Sequence, residues 1–286
     1  MRQDHYTLVK VFNNNVVLAL RSGREEILFA RGIGFGRKSG DTILAATPVE
    51  KKFTIMDAGN SGRFRQLLTQ VDDAVFAMCE AVIAMISSEL NEELNENIHI
   101  NLVEHIAFML KRVRRGEEFT NPFMVETEIL YEKEYLLAQK AVAMLEQQAG
   151  VQIPEGEAGF IAIHIHSARK NGKLSQTMRQ TFLANSLVEI IEEERQIAVD
   201  RQSLDYARFV THLRYTMERL LRRQRITNDL LPVIRRKYKA SYALAEQLSA
   251  YIAEELEVEV PVGETAYIAL YVEKLCVQFP AGQMGK

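Results

Sequence analysis

Three histidines and two arginines recur at a fixed spacing in this 286-residue chain. The interval from His105 to His164 equals that from His212 to Tyr271, and one constant offset carries the first pair of positions onto the second. Arg112 and Arg219 each follow their histidine, His105 or His212, by seven residues. That is two helical turns, so each arginine could share a helix face with its histidine and screen an anion held there. The plain alternatives are a hydrogen-bonded core imidazole and a solvated helix end. Duplication argues against the first, because a residue kept only for packing drifts readily to an aliphatic one. A second cluster lies near the N-terminus: Lys10, Asn13, Asn15, Arg31, Phe35, Arg37 and Lys38. It joins cations that neutralise phosphate, amides that read base edges and an aromatic that can stack on an unpaired base. The bland reading is that the asparagines only make a turn and Phe35 only fills a core.

The elements that must position these residues follow from periodicity. Leu102, Ile106, Leu110 and Val113 fall at i, i+4, i+8 and i+11, as do Phe209, Leu213, Met217 and Leu220, which marks two amphipathic helices with one histidine at the edge of each apolar stripe. The same offset carries Pro154-Glu155-Gly156-Glu157 onto Pro261-Val262-Gly263-Glu264, and Tyr131 and Tyr135 onto Tyr238 and Tyr242. Such register over so many positions is a tandem duplication. Helices are expected over 64–89, 97–114, 123–148 and 155–169, with a break at Asn171-Gly172-Lys173, equivalents in the second repeat ending near Phe279, and a frayed tail over 280–286. His99 and His166 have Tyr206 and Glu273 as counterparts and are expected at the surface.

The segment 1–60 reads instead as a small antiparallel sheet. Strands are expected over 7–13, 16–20, 27–30 and 53–56, with Asn13-Asn14-Asn15 as turn chemistry. Gly32-Ile33-Gly34-Phe35-Gly36 implies a bend with close backbone approach, and 57–62 is linker-like in composition. A sheet this small has little core of its own and is expected to dimerise. The expected fold class is α+β and multidomain: a sheet head over 1–60 and two all-α helical bundles over 61–171 and 172–286.

Charge is uneven, with nine Lys/Arg against six Asp/Glu over 1–60 and 26 against 32 in the rest. A mildly basic head on an acidic body permits nucleic-acid binding by the head. Two isolated cysteines, Cys79 and Cys276, suit neither a disulfide framework nor a zinc quartet and are expected as small buried residues in a reducing cytosol. The N-terminus lacks the layout of a signal peptide and no apolar run reaches membrane-spanning length, so a cytoplasmic protein is expected. No Walker-type loop, HExxH or His-Asp dipeptide occurs, which leaves nucleotide hydrolysis and common metallohydrolase chemistry without visible apparatus. No metal or cofactor is expected.

The segments Lys10-Val11-Phe12-Asn13-Asn14-Asn15-Val16 and Arg31-Gly32-Ile33-Gly34-Phe35-Gly36-Arg37-Lys38, followed by the duplicated His-bearing helices, resemble the BglG/SacY-type transcriptional antiterminators of the bacterial sugar phosphotransferase system. The glycine-rich segment is most similar to the glucose-responsive branch rather than the β-glucoside or sucrose branches. The resemblance implies an RNA-binding head and two PTS regulation domains. By position, Asn15, Arg31 and Phe35 would face RNA alongside Asn13, with Lys10 on phosphate, and His105, His164 and His212 would be phosphoacceptors. It also implies an mRNA hairpin, the phosphocarrier protein HPr, a sugar-specific permease (enzyme II) and a second copy of the chain as partners, and no enzymatic activity. Ala30 stands where relatives often have glycine, and Tyr271 where most place a fourth histidine. The competing readings are a metal-dependent phosphohydrolase on helical histidines and a DNA-binding activator, which would need a helix-turn-helix head.

Overall fold

A computed structural model of the chain describes residues 4–55, 58–117, 119–169 and 173–277. The head is one antiparallel sheet of β1 (His5–Val11), β2 (Val16–Arg21), β3 (Arg24–Phe29), β4 (Thr42–Leu44) and β5 (Lys51–Ile55), ordered β4-β1-β2-β3-β5. Four strands were expected; the fifth, β4, is too short to show an alternation. Tyr6, Leu8, Val17, Ala19, Leu28 and Ile43 line one face together with Ile33. Val16, Leu18 and Ile27, from the opposite face, are fully buried as well, because α2 (Asp73–Leu90) packs there and Phe76 meets Phe12 with ring centroids 4.2 Å apart. Ser22-Gly23 turns β2 into β3 with both φ angles positive, 50° and 79°, the turn whose twist matches paired strands.

Residues 58–62, expected as part of a linker, do not form one. α1 (Ala58–Gln70) runs through Gly59-Asn60-Ser61-Gly62, and tertiary contacts override the local preference. Ser61 Oγ and Arg65 Nε donate to the two oxygens of Glu25 at 3.0 and 2.9 Å, while Phe64 and Leu67 are buried. Asp57, the first residue of the expected linker, lies outside the described residues, as do Met56 of the expected fourth strand, Asn171-Gly172 of the expected break and the tail over 280–286.

The helices of the first repeat are α2, α3 (Ile98–Arg114), α4 (Met124–Leu130), α5 (Glu132–Ala149) and α6 (Gly156–Arg169); those of the second are α7 (Leu174–Arg195), α8 (Leu204–Leu221), α9 (Leu231–Lys237), α10 (Lys239–Leu256) and α11 (Val262–Val277). The single helix expected over 123–148 is broken at Tyr131, and its counterpart is broken at Tyr238, with φ/ψ of −133°/43° and −116°/49°. The repeat therefore preserves its break as well as its helices. By contact the chain forms two compact units, Met1–Pro122 with Lys133–Leu174, and Phe123–Glu132 with Ser175–Lys286. Among the described residues no helix is long and apolar enough to cross a membrane.

Of the two histidines expected at the surface, His99 is inside and His166 is half-buried. His99 is fully buried on α3, with Nδ1 at 3.0 and 2.9 Å from the oxygens of Glu80, itself buried on α2. His166, on α6, holds Glu134 Oε1 at 2.8 Å through Nδ1, and Arg169 binds the same oxygen at 2.7 Å. Each histidine found a glutamate on a neighbouring helix, a pairing that no local spacing announces. Cys79 is buried, which pushes its thiol pKa well up, whereas Cys276 is only half-buried.

Candidate functional site

In the first repeat α3 and α6 bring His105 and His164 together, with ring centroids 5.1 Å apart. Glu157, from the first turn of α6, is buried beneath them. Its Oε2 lies 3.1 Å from His105 Nε2, and its Oε1 is paired with Arg112 of α3. The Arg112 guanidinium is held between the rings of Phe108 and Phe119, at 5.2 and 4.5 Å from their centroids. Burial, then the electrostatic influence of the neighbouring His105, pushes the His164 pKa down to about 3. That ring is therefore neutral at physiological pH and keeps a nitrogen lone pair.

The second repeat rebuilds the arrangement from α8 and α11. Arg219 Nε and Nη2 clamp Glu264 at 2.6 and 2.9 Å, and Thr216 Oγ1 bridges, at 3.0 Å from Glu264 Oε2 and 3.3 Å from His212 Nε2. Tyr271 takes the place of His164 and stacks on His212, with centroids 4.5 Å apart and planes 26° from parallel. Burial pushes the His212 pKa down to about 4, with Glu264 opposing and Arg219 adding to the shift.

The two glutamates went unnoticed as functional residues in the sequence, although the register that maps Glu157 onto Glu264 was visible. The signal was the preceding glycine. A Cβ on Gly156 would meet Asn121 at 3.1 Å, and one on Gly263 would fall 2.4 Å from Ile226 O. Glycine at these places lets the start of α6 or α11 approach the segment before α4 or α9 closely. Arg112 and Arg219 do share a face with their histidines, but each is already paired with its glutamate.

In the head, Asn13 makes the turn: its Oδ1 accepts from the backbone N–H groups of Asn15 and Val16, both at 2.8 Å. Asn15 Oδ1 accepts from Gly32 N at 2.9 Å, and Gly34 N donates to Asn14 O at 2.9 Å. The glycine loop is thus docked on the asparagine turn. A Cβ on Gly34 would stand 2.2 Å from Asn13 O, which is the close backbone approach that the glycines implied. Around this platform Asn15, Arg31, Phe35, Arg37 and Lys38 are exposed, Phe35 by 73 %. Lys10 is apart from them, with its ammonium 2.6 Å from Asp73 Oδ1 on α2.

Known protein families match the head and both repeats. Residues 6–61 match the CAT RNA binding domain, and residues 80–168 and 185–275 each match the PRD domain. The PtsGHI operon antiterminator of Bacillus subtilis is 37% identical over 94% of this chain and 97% of its own length. The chain belongs to the BglG/SacY-type family of transcriptional antiterminators. Other family members similar to it are the transcription antiterminator LicT of Bacillus subtilis, 31% identical over 95% of this chain and 99% of LicT, and the protein GlcT of Staphylococcus saprophyticus, 31% identical over 94% and 96%. Among solved structures of the family, the crystal structure of GlcT CAT-PRDI is similar with a TM-score of 0.51 and 42% identity, over 58% of this chain and 99% of that one.

Proposed function

We propose that this antiterminator serves a glucose-type permease operon. Its head, residues 1–60, binds a hairpin in the nascent mRNA as a dimer and prevents the overlapping terminator from forming. Residues 61–171 and 172–286 are the two regulatory modules, acting in the cytoplasm. His105, His164 and His212 accept phosphoryl groups reversibly, the first two under control of the sugar-specific permease and His212 from HPr. The observation that carries this reading is the same histidine, buried glutamate and arginine built twice at equivalent positions, each set beside a second ring. A solvated helix face would not rebuild a buried carboxylate beneath its histidine. Adding a phosphoryl group, with roughly −1.5 to −2 charges, beside a buried carboxylate gives the strong electrostatic change that a switch needs.

On RNA, Asn15, Arg31 and Phe35 are the contacts we assign, with Asn13 shaping the turn beneath them and Lys10 adding phosphate contact if it leaves Asp73. Arg112 and Arg219 screen the phosphoryl groups. The test is recovery and sequencing of RNA bound to the protein in cells, which identifies the operon. A hairpin overlapping the terminator of a glucose-permease transcript is expected; absence of any enriched leader RNA would overturn the reading. Phosphoryl transfer is read separately, by incubation with phosphorylated HPr and permease domain and mapping of acid-labile label to the three histidines.

A further inference from the structure

Each acceptor imidazole has two nitrogens, and only one can carry the lone pair that attacks phosphorus while the ring is neutral. Which one it is can be worked out from the groups around Nε2. In the second repeat Glu264, a carboxylate, can only accept, so the Thr216 hydroxyl proton points to Glu264 Oε2 at 3.0 Å. The two lone pairs on Thr216 Oγ1 then face two donors: Arg219 Nη2 at 3.1 Å and His212 Nε2 at 3.3 Å. Nε2 must therefore hold the proton. The first repeat has Met109 in place of Thr216, and there the carboxylate comes directly to the ring, with Glu157 Oε2 3.1 Å from His105 Nε2. Both of those atoms are buried, and neither makes a hydrogen bond, to the other or to any other group, so the contact is one of charge and distance. A lone pair on Nε2 would face an anion across that gap, whereas an N–H turns the positive end of its dipole toward the carboxylate. Two different side-chain arrangements reach the same protonation state.

We propose that Glu157 and Glu264 are positioning residues that hold His105 and His212 as their Nε2–H tautomers and so direct the phosphoryl group to Nδ1. This rests on the phosphoacceptor reading given above. In the transfer, the Nδ1 lone pair forms the new N–P bond while the N–P bond of a phosphohistidyl donor protein breaks, its electron pair returning to the donor ring. The acceptor ring becomes cationic, its Nε2–H remaining against the glutamate in the first repeat and against the threonine–glutamate pair in the second. The donor ring, protonated on its other nitrogen and cationic before transfer, becomes neutral, so charge and atoms balance. Nε2 of His105, buried against Glu157, is closed to a donor protein.

The test uses the full-length chain with ring-nitrogen-labelled histidine. Nitrogen NMR before transfer should show both histidines as Nε2–H tautomers. After incubation with a phosphohistidyl donor, phosphorus-coupled nitrogen spectra should place the group on Nδ1, in about tenfold or greater excess over Nε2 if one charge-assisted hydrogen bond sets the preference. Thr216→Val, close in shape, should give His212 a mixed tautomer population and a slower transfer while leaving His105 unchanged. Glu157→Gln should do the same at His105. An Nδ1–H tautomer in the wild type, a phosphoryl group on Nε2, or an unaltered His212 tautomer in Thr216→Val would each overturn the proposal and leave the phosphoacceptor reading standing. No label on either histidine would overturn both.

Discussion

Tyr271 is where the chain departs from its own repeat at a functional position. Stacked on His212, it fills the space of the missing imidazole, but its phenol belongs to a residue type with a pKa near 10 and does not join a reversible phosphoryl relay between histidines. The second module is therefore expected to take label at His212 alone, and a His212→Ala chain to take none there; phosphate mapped elsewhere in residues 173–277 would refute this. The histidine pKa values also set a pH dependence. Both His164 and His212 titrate below the ordinary 6.5, near 3 and 4, so the unfolded chain binds these protons first. The stability gained by keeping the rings neutral is complete above pH 6.5 and is lost as pH falls from there toward about 4. Urea midpoints measured at pH 7 and pH 5 should differ by less in His212→Gln than in the wild type, and an equal difference would contradict the assignment. At this scale the sequence showed the repeated histidines and arginines because they hold register. It hid Glu80, the partner that takes His99 out of solvent, because that contact spans 19 positions and two helices.

Among the elements, the amphipathic helices were legible because each buries one stripe, and the head read as strands because valine, leucine and phenylalanine crowd its segments on either side of an asparagine turn, although β2 is buried on both faces. Local composition misled at α1, where Gly59-Asn60-Ser61-Gly62 looks like a connector, yet Glu25 on β3 recruits Ser61 and Arg65 into a helix. It also ran α4 and α5 together, since nothing about Tyr131 as a residue type announces a break. The loop holding Gly34 was read correctly because a close approach leaves glycine few substitutes. Gly34→Ala would place a methyl group 2.2 Å from Asn13 O, forcing the loop off the asparagine turn. We expect a loss of about 1–3 kcal/mol in head stability, the usual range for overpacking, together with weaker hairpin binding as Arg31 and Phe35 move with the loop. Thermal unfolding and gel-shift titration of the variant would check both, and wild-type values in both would show that the docking is not rigid.

For the whole molecule, the second compact unit takes Phe123–Glu132 from the first repeat. Phe123 packs on Phe182 with centroids 5.2 Å apart, Glu126 binds Arg201 at 2.5 Å and the hydroxyl of the buried Tyr206, and Leu130 O accepts from Arg214 Nη1 at 2.9 Å. A fragment of residues 172–286 lacks all of these, so the Tyr206 hydroxyl loses the carboxylate it binds and Arg201 keeps only Glu192, at 3.3 Å, as its carboxylate partner. Glu126→Ala in the full chain should cost about 1–3 kcal/mol, the loss typical when a buried hydroxyl is left without its acceptor, since Arg201 keeps Glu192. The fragment should unfold at lower temperature than one with residues 121–132 fused through a flexible linker to its N-terminus. Equal melting temperatures by circular dichroism would count against that role. The boundary that the repeat draws is therefore not the boundary that the contacts draw. The chain passes from one unit to the other at 122–123, 132–133 and 174–175, so a single genetic crossover near residue 172 would inherit a second module with a piece left behind in the other parent. Hybrids between relatives need three matched junctions, which makes the duplicated half harder to shuffle by recombination than its repeat suggests.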